Sequence, residues 1–164
     1  MSYSVQHAKK KHIFIKSYSQ LGKLVTSIDL LKKDSEIDSQ LSILSMFTNE
    51  QSFKHKKDQV QFEKQLKEYW KKVLESSIEF GVFKNPEIGT VYIIGSLTSL
   101  FMHEINGKAL GGISVGLNGI LRGLGAKKTH VDTFMEMLNN GDYLLIIRGF
   151  DDDLHHLETA LEDV

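Results

Sequence analysis

The stretch 89–125, GTVYIIGSLTSLFMHEINGKALGGISVGLNGILRGLG, constrains this chain most, because it holds nine of the thirteen glycines. Its two arms, on either side of Asn106-Gly107-Lys108, are almost free of charge. A glycine inside a helix costs about 1 kcal/mol relative to alanine, so glycines this frequent need a packing reason. Glycines four residues apart lie on one helical face and let another backbone approach closely. We therefore predict a glycine-rich hairpin with interface positions at Gly112, Gly116, Gly119 and Gly123. Its first arm, VYIIGSLTSLFM, is either a strand that opens into a bend at Gly95 or the first arm of a helical hairpin.

Neither arm of this stretch is long enough to span a membrane as a helix. The longer uncharged run, 88–102, has fifteen residues, whereas a spanning helix needs roughly 20. Hydrophobic and charged contents of 41% and 25% are those of a globular domain. The basic N-terminus MSYSVQHAKKKH has no apolar segment behind it, so we expect no signal peptide and a cytoplasmic location. The net charge of −1 argues against a nucleic-acid partner.

Hydrophobic periodicity predicts one domain over 1–164 with an α+β fold. The expected strands are short runs of β-branched, aromatic and other apolar residues bounded by polar ones, and the expected helices have apolar residues at i, i+3, i+4. We predict a ferredoxin-like βαβ…αβ sheet, mostly antiparallel, with helices on one face, a long amphipathic helical insertion and a C-terminal helix. The segments are a flexible tail at 1–11, a βαβ unit at 12–47, the helical insertion at 50–88, the glycine-rich segment at 89–125 and an αβα unit at 126–164.

The insertion contains an amphipathic helix of about 24 residues that starts near Lys57. Its lysines and glutamates alternate as on a solvated outer face. One interpretation is a surface helix packed on its own domain. The other is a partner-binding arm whose interface anchors are Tyr69 and Trp70, since interfaces are enriched in these residue types.

No complete motif for chemistry is present. The glycine-rich segment has neither the Walker A spacing nor the third glycine of a dinucleotide-binding fingerprint. The absence of cysteine excludes disulfides and thiolate ligands. The segment DDDLHH offers two ligands per helical face, which does not complete a zinc site. We therefore predict no metal, no cofactor and no catalytic residue. A ligand pocket beside the glycine segment is the open alternative, with His103, Glu104 and His130 as its binding residues.

The run 119–161, GILRGLGAKKTHVDTFMEMLNNGDYLLIIRGFDDDLHHLETAL, resembles the C-terminal half of a bacterial family of unknown function. Its members are labelled general-stress proteins or predicted membrane proteins. The shared elements are a glycine-rich hairpin, the turn at Gly123 and Gly125, a helix, Gly141 and an apolar strand. The opening unit, HIFIKSYS to LSILSMF, is similar too. The resemblance implies no enzymatic activity, and the polar residues in the central arms depart from a membrane protein.

These observations predict a non-enzymatic, cytoplasmic bacterial protein that forms a homo-oligomer, in a stress-related role. The reason is the amount of apolar surface in 57–125, which two small flanking units cannot readily bury. Two alternatives belong to other classes. One is a membrane-peripheral protein that inserts the hairpin 88–121 shallowly into lipid. The other is a small-ligand sensor or enzyme with its pocket beside the glycine segment.

Overall fold

The structure, a computed structural model, describes residues 11–33, 40–47, 55–75 and 78–164. The predicted tail, the end of the first predicted helix and the start of the predicted insertion lie largely outside these residues. The strands are β1 (Lys11–Tyr18), β2 (Gln40–Met46), β3 (Phe80–Asn85), β4 (Gly89–Gly95), β5 (Glu104–Ile105), β6 (Lys108–Ala109) and β7 (Tyr143–Phe150). The helices are α1 (Leu21–Lys33), α2 (Lys56–Leu74), α3 (Thr98–Met102), α4 (Gly116–Gly123), α5 (Lys128–Asn139) and α6 (Asp151–Leu161).

The two ends of the chain fold as their periodicity predicts. β1, α1 and β2 form the first unit, and the spaced leucine and isoleucine side chains of α1 are its buried face. α5, β7 and α6 form the last unit. Gly141 ends α5 with φ of +94°, and the N–H of Asp142 donates to the Met137 carbonyl, as in a Schellman motif.

The predicted helical insertion at 50–88 is only partly correct. α2 has 19 residues and starts one residue before the predicted position. Phe80–Asn85, which the prediction included in the insertion, is strand β3. It pairs antiparallel with β4 from Phe80↔Ile94 to Asn85↔Gly89. The turn between them contains Pro86, a residue that cannot continue a helix.

The glycine-rich segment does not form a helical hairpin of two long arms, and the alternative of a strand with a bend at Gly95 describes its first arm. Its first arm is β4 followed by the short helix α3, and the chain bends at Gly95, where φ is +116°. Asn106-Gly107 then closes the small β5–β6 ladder. The second arm is a 3₁₀ turn (Leu110–Gly112) followed by α4. β4 is buried over Val91–Gly95, so this segment lies within the core.

The main sheet has five strands in the order β1-β7-β2-β4-β3, and every neighbouring pair is antiparallel. β7 lies between β1 and β2, which therefore run in the same direction. β2 in turn lies between β4 and β7. β7 is an interior strand, and β2 holds the middle position. The α+β class is confirmed, whereas the ferredoxin-like arrangement is not, because the strand order is mixed.

Helices cover both faces of this sheet, so the prediction of a single covered face is wrong. Ile43, Tyr92 and Leu145 point into one cluster with α1, α2 and α6. Their chain neighbours Leu44 and Leu144 point into the opposite cluster with α3, α4 and α5. Successive strand residues face opposite sides, and interior strands with two apolar faces must be covered twice.

Candidate functional site: a groove along a sheet edge

The outer edge of β1 carries charged side chains that discourage pairing with another strand. Its sequence includes Lys11, His12 and Lys16. The ammonium of Lys16 donates to the carbonyl of Leu161 at the end of α6, and His12 contacts Asp151 at its start. Lysines on an edge strand and a neighbouring helix are the devices by which proteins protect sheet edges. The β1 edge is therefore a protected one.

β3 is an edge strand, and in the described part of the chain no strand pairs with its outer side. The N–H of Gly95 donates to the carbonyl of Glu79, 3.0 Å away, so position 79 faces β4. The carbonyl of Thr90, opposite Lys84, instead accepts from Phe47 on the β2 side, at 3.0 Å. In an antiparallel ladder the bonded positions alternate. Phe80, Val82 and Lys84 therefore point their N–H and C=O groups outward.

An open cleft of about 580 Å³ runs along this edge. Its floor is the strand itself, Phe80–Lys84. Gln59 and Glu63 of α2 form one wall, with the amide of Gln59 donating to the Glu63 carboxylate at 3.2 Å. Met102 forms the other wall and lies directly over Gly81, where a Cβ would come within 2.4 Å of its Cγ. We call this cleft and the adjoining one the β3 groove.

The adjoining cleft, of about 540 Å³, continues from the same strand toward the β5–β6 ladder. It shares Val82, Phe83, Lys84 and Met102 with the first cleft. Glu104, Lys108 and Gly112 complete its far side. The two clefts therefore form one continuous surface from α2 to the β5–β6 ladder.

The β3 groove contains charged side chains of both signs. Lys84, Glu104 and Lys108 are exposed. Among the described residues, none of the three has a salt-bridge partner. Uncompensated charges of both signs beside apolar side chains are suited to recognition of another polypeptide rather than to steering a ligand of one sign.

Aromatic packing makes the α2 side of the groove rigid. Phe80 of β3 stacks on Tyr92 of β4 with ring centroids 6.1 Å apart. Burial raises the pKa of the Tyr92 hydroxyl, and the neighbouring Trp70 and Ser45 side chains offset part of that rise. The Trp70 Nε1 itself lacks a partner of hydrogen-bond geometry. Tyr92 thus stays protonated at neutral pH and acts as a packing residue.

Asn85, the last residue of β3, fixes one end of the groove. Its buried side chain donates from Nδ2 to the Gly111 carbonyl at 2.9 Å and accepts from the N–H of Glu87 at 2.9 Å. Phe83 supports the same turn, because its ring lies where a Cβ on Gly111 would be. The 3₁₀ turn is thereby held against the end of β3.

We expect Asn85→Ala to lower the free energy of unfolding by about 1–3 kcal/mol, because the buried Gly111 carbonyl and the part-buried N–H of Glu87 lose their partners. The matched control is Ser114→Ala, which removes the exposed hydrogen bond from Ser114 to Glu87 between the same two segments. We expect less than about 0.5 kcal/mol for this exposed change. Urea unfolding measures both, and equal losses would contradict the anchoring role of Asn85.

One of the three predicted ligand residues lines the β3 groove. Glu104 lines the second cleft, but neither cleft is lined by His103 or His130. His103 ends α3, and His130 lies exposed in the first turn of α5. Across the described residues, no group of three or more histidine, aspartate or glutamate side chains is placed to hold a metal ion.

The predicted interface aromatics differ in exposure. Trp70 is 1% exposed and lies in the core, whereas Tyr69 is 39% exposed and packs edge-on against it with centroids 5.2 Å apart. Trp70 therefore offers no surface to a partner. α2 agrees with its first interpretation, a helix packed on its own domain. Tyr69 remains a surface residue.

The predicted interface glycines fall into two groups. A Cβ on Gly116 would come within 1.8 Å of the Leu110 carbonyl oxygen, and one on Gly112 within 2.9 Å of the Lys84 carbonyl oxygen. These two glycines are explained by close packing within the chain. Gly119 and Gly123 have no atom within 4 Å of such a Cβ and lie on the exposed side of α4.

We expect alanine substitutions at Gly116 and Gly119 to have opposite effects on stability. Gly116→Ala forces the 3₁₀ turn away from α4 and should destabilise the protein by about 2–4 kcal/mol, as overpacking does. Gly119→Ala adds a methyl group in open space and should stabilise the helix by up to about 1 kcal/mol. Thermal unfolding tests the pair, and destabilisation by both variants would contradict this assignment.

The candidates predicted from the sequence did not include most of the residues that form the groove. Gln59, Glu63, Val82, Lys84, Met102 and Lys108 were not among them. The Asn85-Pro86 dipeptide, a turn signal between two apolar runs, was the available indication of the β3–β4 hairpin.

Comparison of the chain with protein-family models, with curated proteins and with solved structures finds no match in any of the three. No helix in the described part of the chain has both the length and the apolar character needed to cross a membrane.

Proposed function

We propose that this protein is a non-enzymatic interaction module that works as a homo-oligomer and binds its partner chain through the β3 groove. The observation that carries the proposal is the open edge of β3, where unpaired backbone groups lie beside apolar side chains and free charges. An exposed strand edge is a template for another strand. A stress-related role and a cytoplasmic location belong to the same proposal, and the bacterial resemblance and the composition support them.

The proposal is tested by sedimentation velocity and native mass spectrometry of protein purified without detergent. We expect a dimer or a larger closed oligomer whose population rises with protein concentration. A protein that stays monomeric up to its solubility limit would overturn the proposal.

A small ligand is the second candidate, and the second cleft favours it. Its volume of about 540 Å³ lies within the range of small-molecule pockets, and Glu104 and Lys108 provide polar groups. Native mass spectra of the same preparation distinguish this candidate, because a retained ligand adds mass to a monomer.

Shallow insertion of 88–121 into lipid is the weaker alternative. This alternative was based on the apolar residues of the segment. The apolar residues of β4 and much of α4 are buried, and the exposed large apolar side chains of 88–121 are Leu100, Ile105 and Val115. Co-flotation with anionic liposomes tests it, and a protein that stays at the bottom of the gradient contradicts it.

A further inference from the structure

We infer that two copies of this chain pair antiparallel through β3, with Val82 opposite Val82 of the second copy, so that the two sheets become one continuous sheet. This inference rests on the proposed function and names its partner and its register. The sheet edge defines the contact, and a two-fold axis perpendicular to the sheet relates the copies. Such a contact is self-complementary and closes at the dimer.

The backbone pattern selects the register. The outward groups belong to Phe80, Val82 and Lys84, as the bonds of Glu79 and Thr90 on the inner side require. A two-fold centred on Val82 sets every outward position opposite another outward position, Val82 opposite Val82 and Lys84 opposite Phe80 of the second copy. A two-fold centred on Gly81 or Phe83 leaves Lys84 or Phe80 without an opposite outward group.

The Lys84 carbonyl, one of the outward groups, is covered by its own chain. The Lys84 carbonyl oxygen lies so close to Gly112 that a Cβ there would be 2.9 Å from it. The 3₁₀ turn thus ends the open edge at this point. Two kinds of hydrogen bond to the second copy remain. Val82 donates to and accepts from Val82 of the second copy, and the Lys84 N–H donates to the Phe80 carbonyl of the second copy. The open edge is short, so the walls of the groove must supply the remaining contacts.

Charge and side-chain pairing favour a second copy in this register. Lys84 is the only charged residue of β3, and the register places it against the Phe80 ring instead of against its own copy. A lysine beside an aromatic ring is favourable, whereas like charges directly opposite each other are not. Glu63 of the α2 wall lines the same cleft as Phe80, so Lys84 of the second copy approaches a carboxylate there.

The absence of cysteine from the chain allows a direct test. In the inferred register the two Val82 Cα atoms are about 5.5 Å apart, a separation that a disulfide spans. We expect Val82→Cys to form a disulfide-linked dimer under mild oxidation at least about tenfold faster than a variant whose cysteines meet only by collision. Val115→Cys is the matched control, because Val115 is 73% exposed and lies outside the groove.

A second variant does not depend on cysteine chemistry. Lys84→Glu leaves the strand in place but sets a carboxylate opposite the Phe80 ring of the second copy, in the cleft that Glu63 of that copy also lines. We expect it to weaken dimerisation by about tenfold at low salt, with partial recovery at high salt. Lys108→Glu makes the same charge change in the groove away from the strand and should weaken dimerisation less.

The outcomes separate this inference from the proposed function. If the wild-type protein is a monomer, both the β3 pairing and the proposed oligomeric function are rejected. An oligomer in which Val82→Cys forms a disulfide no faster than Val115→Cys, or in which Lys84→Glu has no effect, rejects β3 pairing and leaves the oligomeric function standing. A monomer that retains an extended peptide at the groove would assign the edge to a different chain and would also overturn self-pairing.

Discussion

Gly95→Ala is expected to lower the free energy of unfolding by about 3–5 kcal/mol, enough to unfold much of a marginally stable domain. Gly95 ends β4 with φ of +116°, a conformation that a side chain rarely adopts. A Cβ there would also come within 2.2 Å of the Leu41 carbonyl oxygen and 2.8 Å of the Ser42 Cα. Both obstacles are backbone atoms of β2 in the middle of the sheet, so neither can move cheaply.

Gly125→Ala is the matched control for this prediction. Gly125 has the same φ, +116°, but no atom lies within 4 Å of the position that its added methyl group would take, so only the backbone strain remains. We expect a loss of about 1–2 kcal/mol. Urea unfolding at equilibrium measures both variants. A difference of less than about 1 kcal/mol between them would contradict the steric explanation for Gly95.

Trp70→Ala is expected to lower the free energy of unfolding by about 3–5 kcal/mol, because it removes a large, fully buried side chain. Trp70 is 1% exposed and packs in the cluster that joins α2 to the sheet. Tyr69→Ala, one residue earlier and 39% exposed, should cost less than about 1 kcal/mol. Thermal and urea unfolding at several protein concentrations test the pair.

The concentration dependence distinguishes a core residue from an interface anchor. A core residue lowers the stability of the folded chain at every protein concentration. An interface anchor would instead weaken assembly and leave the unfolding of the monomer nearly unchanged. If Trp70→Ala dissociated an oligomer while the monomer stayed as stable as the wild type, the placement of Trp70 in the core would be contradicted.

Local periodicity predicted the two terminal units well. The apolar residues of α1 recur at helical spacing, and α5 ends at the Asn140-Gly141 signal that the sequence shows. β7 was predicted from an uninterrupted apolar run. In each case the information lies within a window of about ten residues, which is the range over which periodicity and capping operate.

Some sequence signals were present but were not used to predict a sheet covered on both faces or a tight turn in the central segment. The runs LLII in β7 and YII in β4 are continuous instead of alternating, which is typical of strands buried on both faces. Asn106-Gly107 is the dipeptide of two-residue hairpins, and both residues have positive φ, +53° and +81°. These signals favoured helices on two sides of the sheet and a tight turn in place of a long hairpin.

The β3 groove was beyond sequence reasoning, because its parts come from distant segments. Glu63 belongs to α2, Val82 to β3, Met102 to α3 and Lys108 to β6. No spacing rule connects these positions. The frequency of glycine likewise indicated close packing but did not show which glycines are closely packed. A Cβ on Gly116 would clash with the Leu110 carbonyl oxygen, whereas a Cβ on Gly119 would have no atom within 4 Å.

The sequence by itself determined the secondary structure of both ends, the turns at glycine and asparagine, and the absence of cysteine chemistry. Only the tertiary structure decided that β7 inserts between β1 and β2, that helices cover both faces, and that β3 is left as an open edge. The physical reason is range: helix and turn preferences are set by neighbouring residues, whereas strand order and edge exposure depend on pairings between segments far apart in the chain.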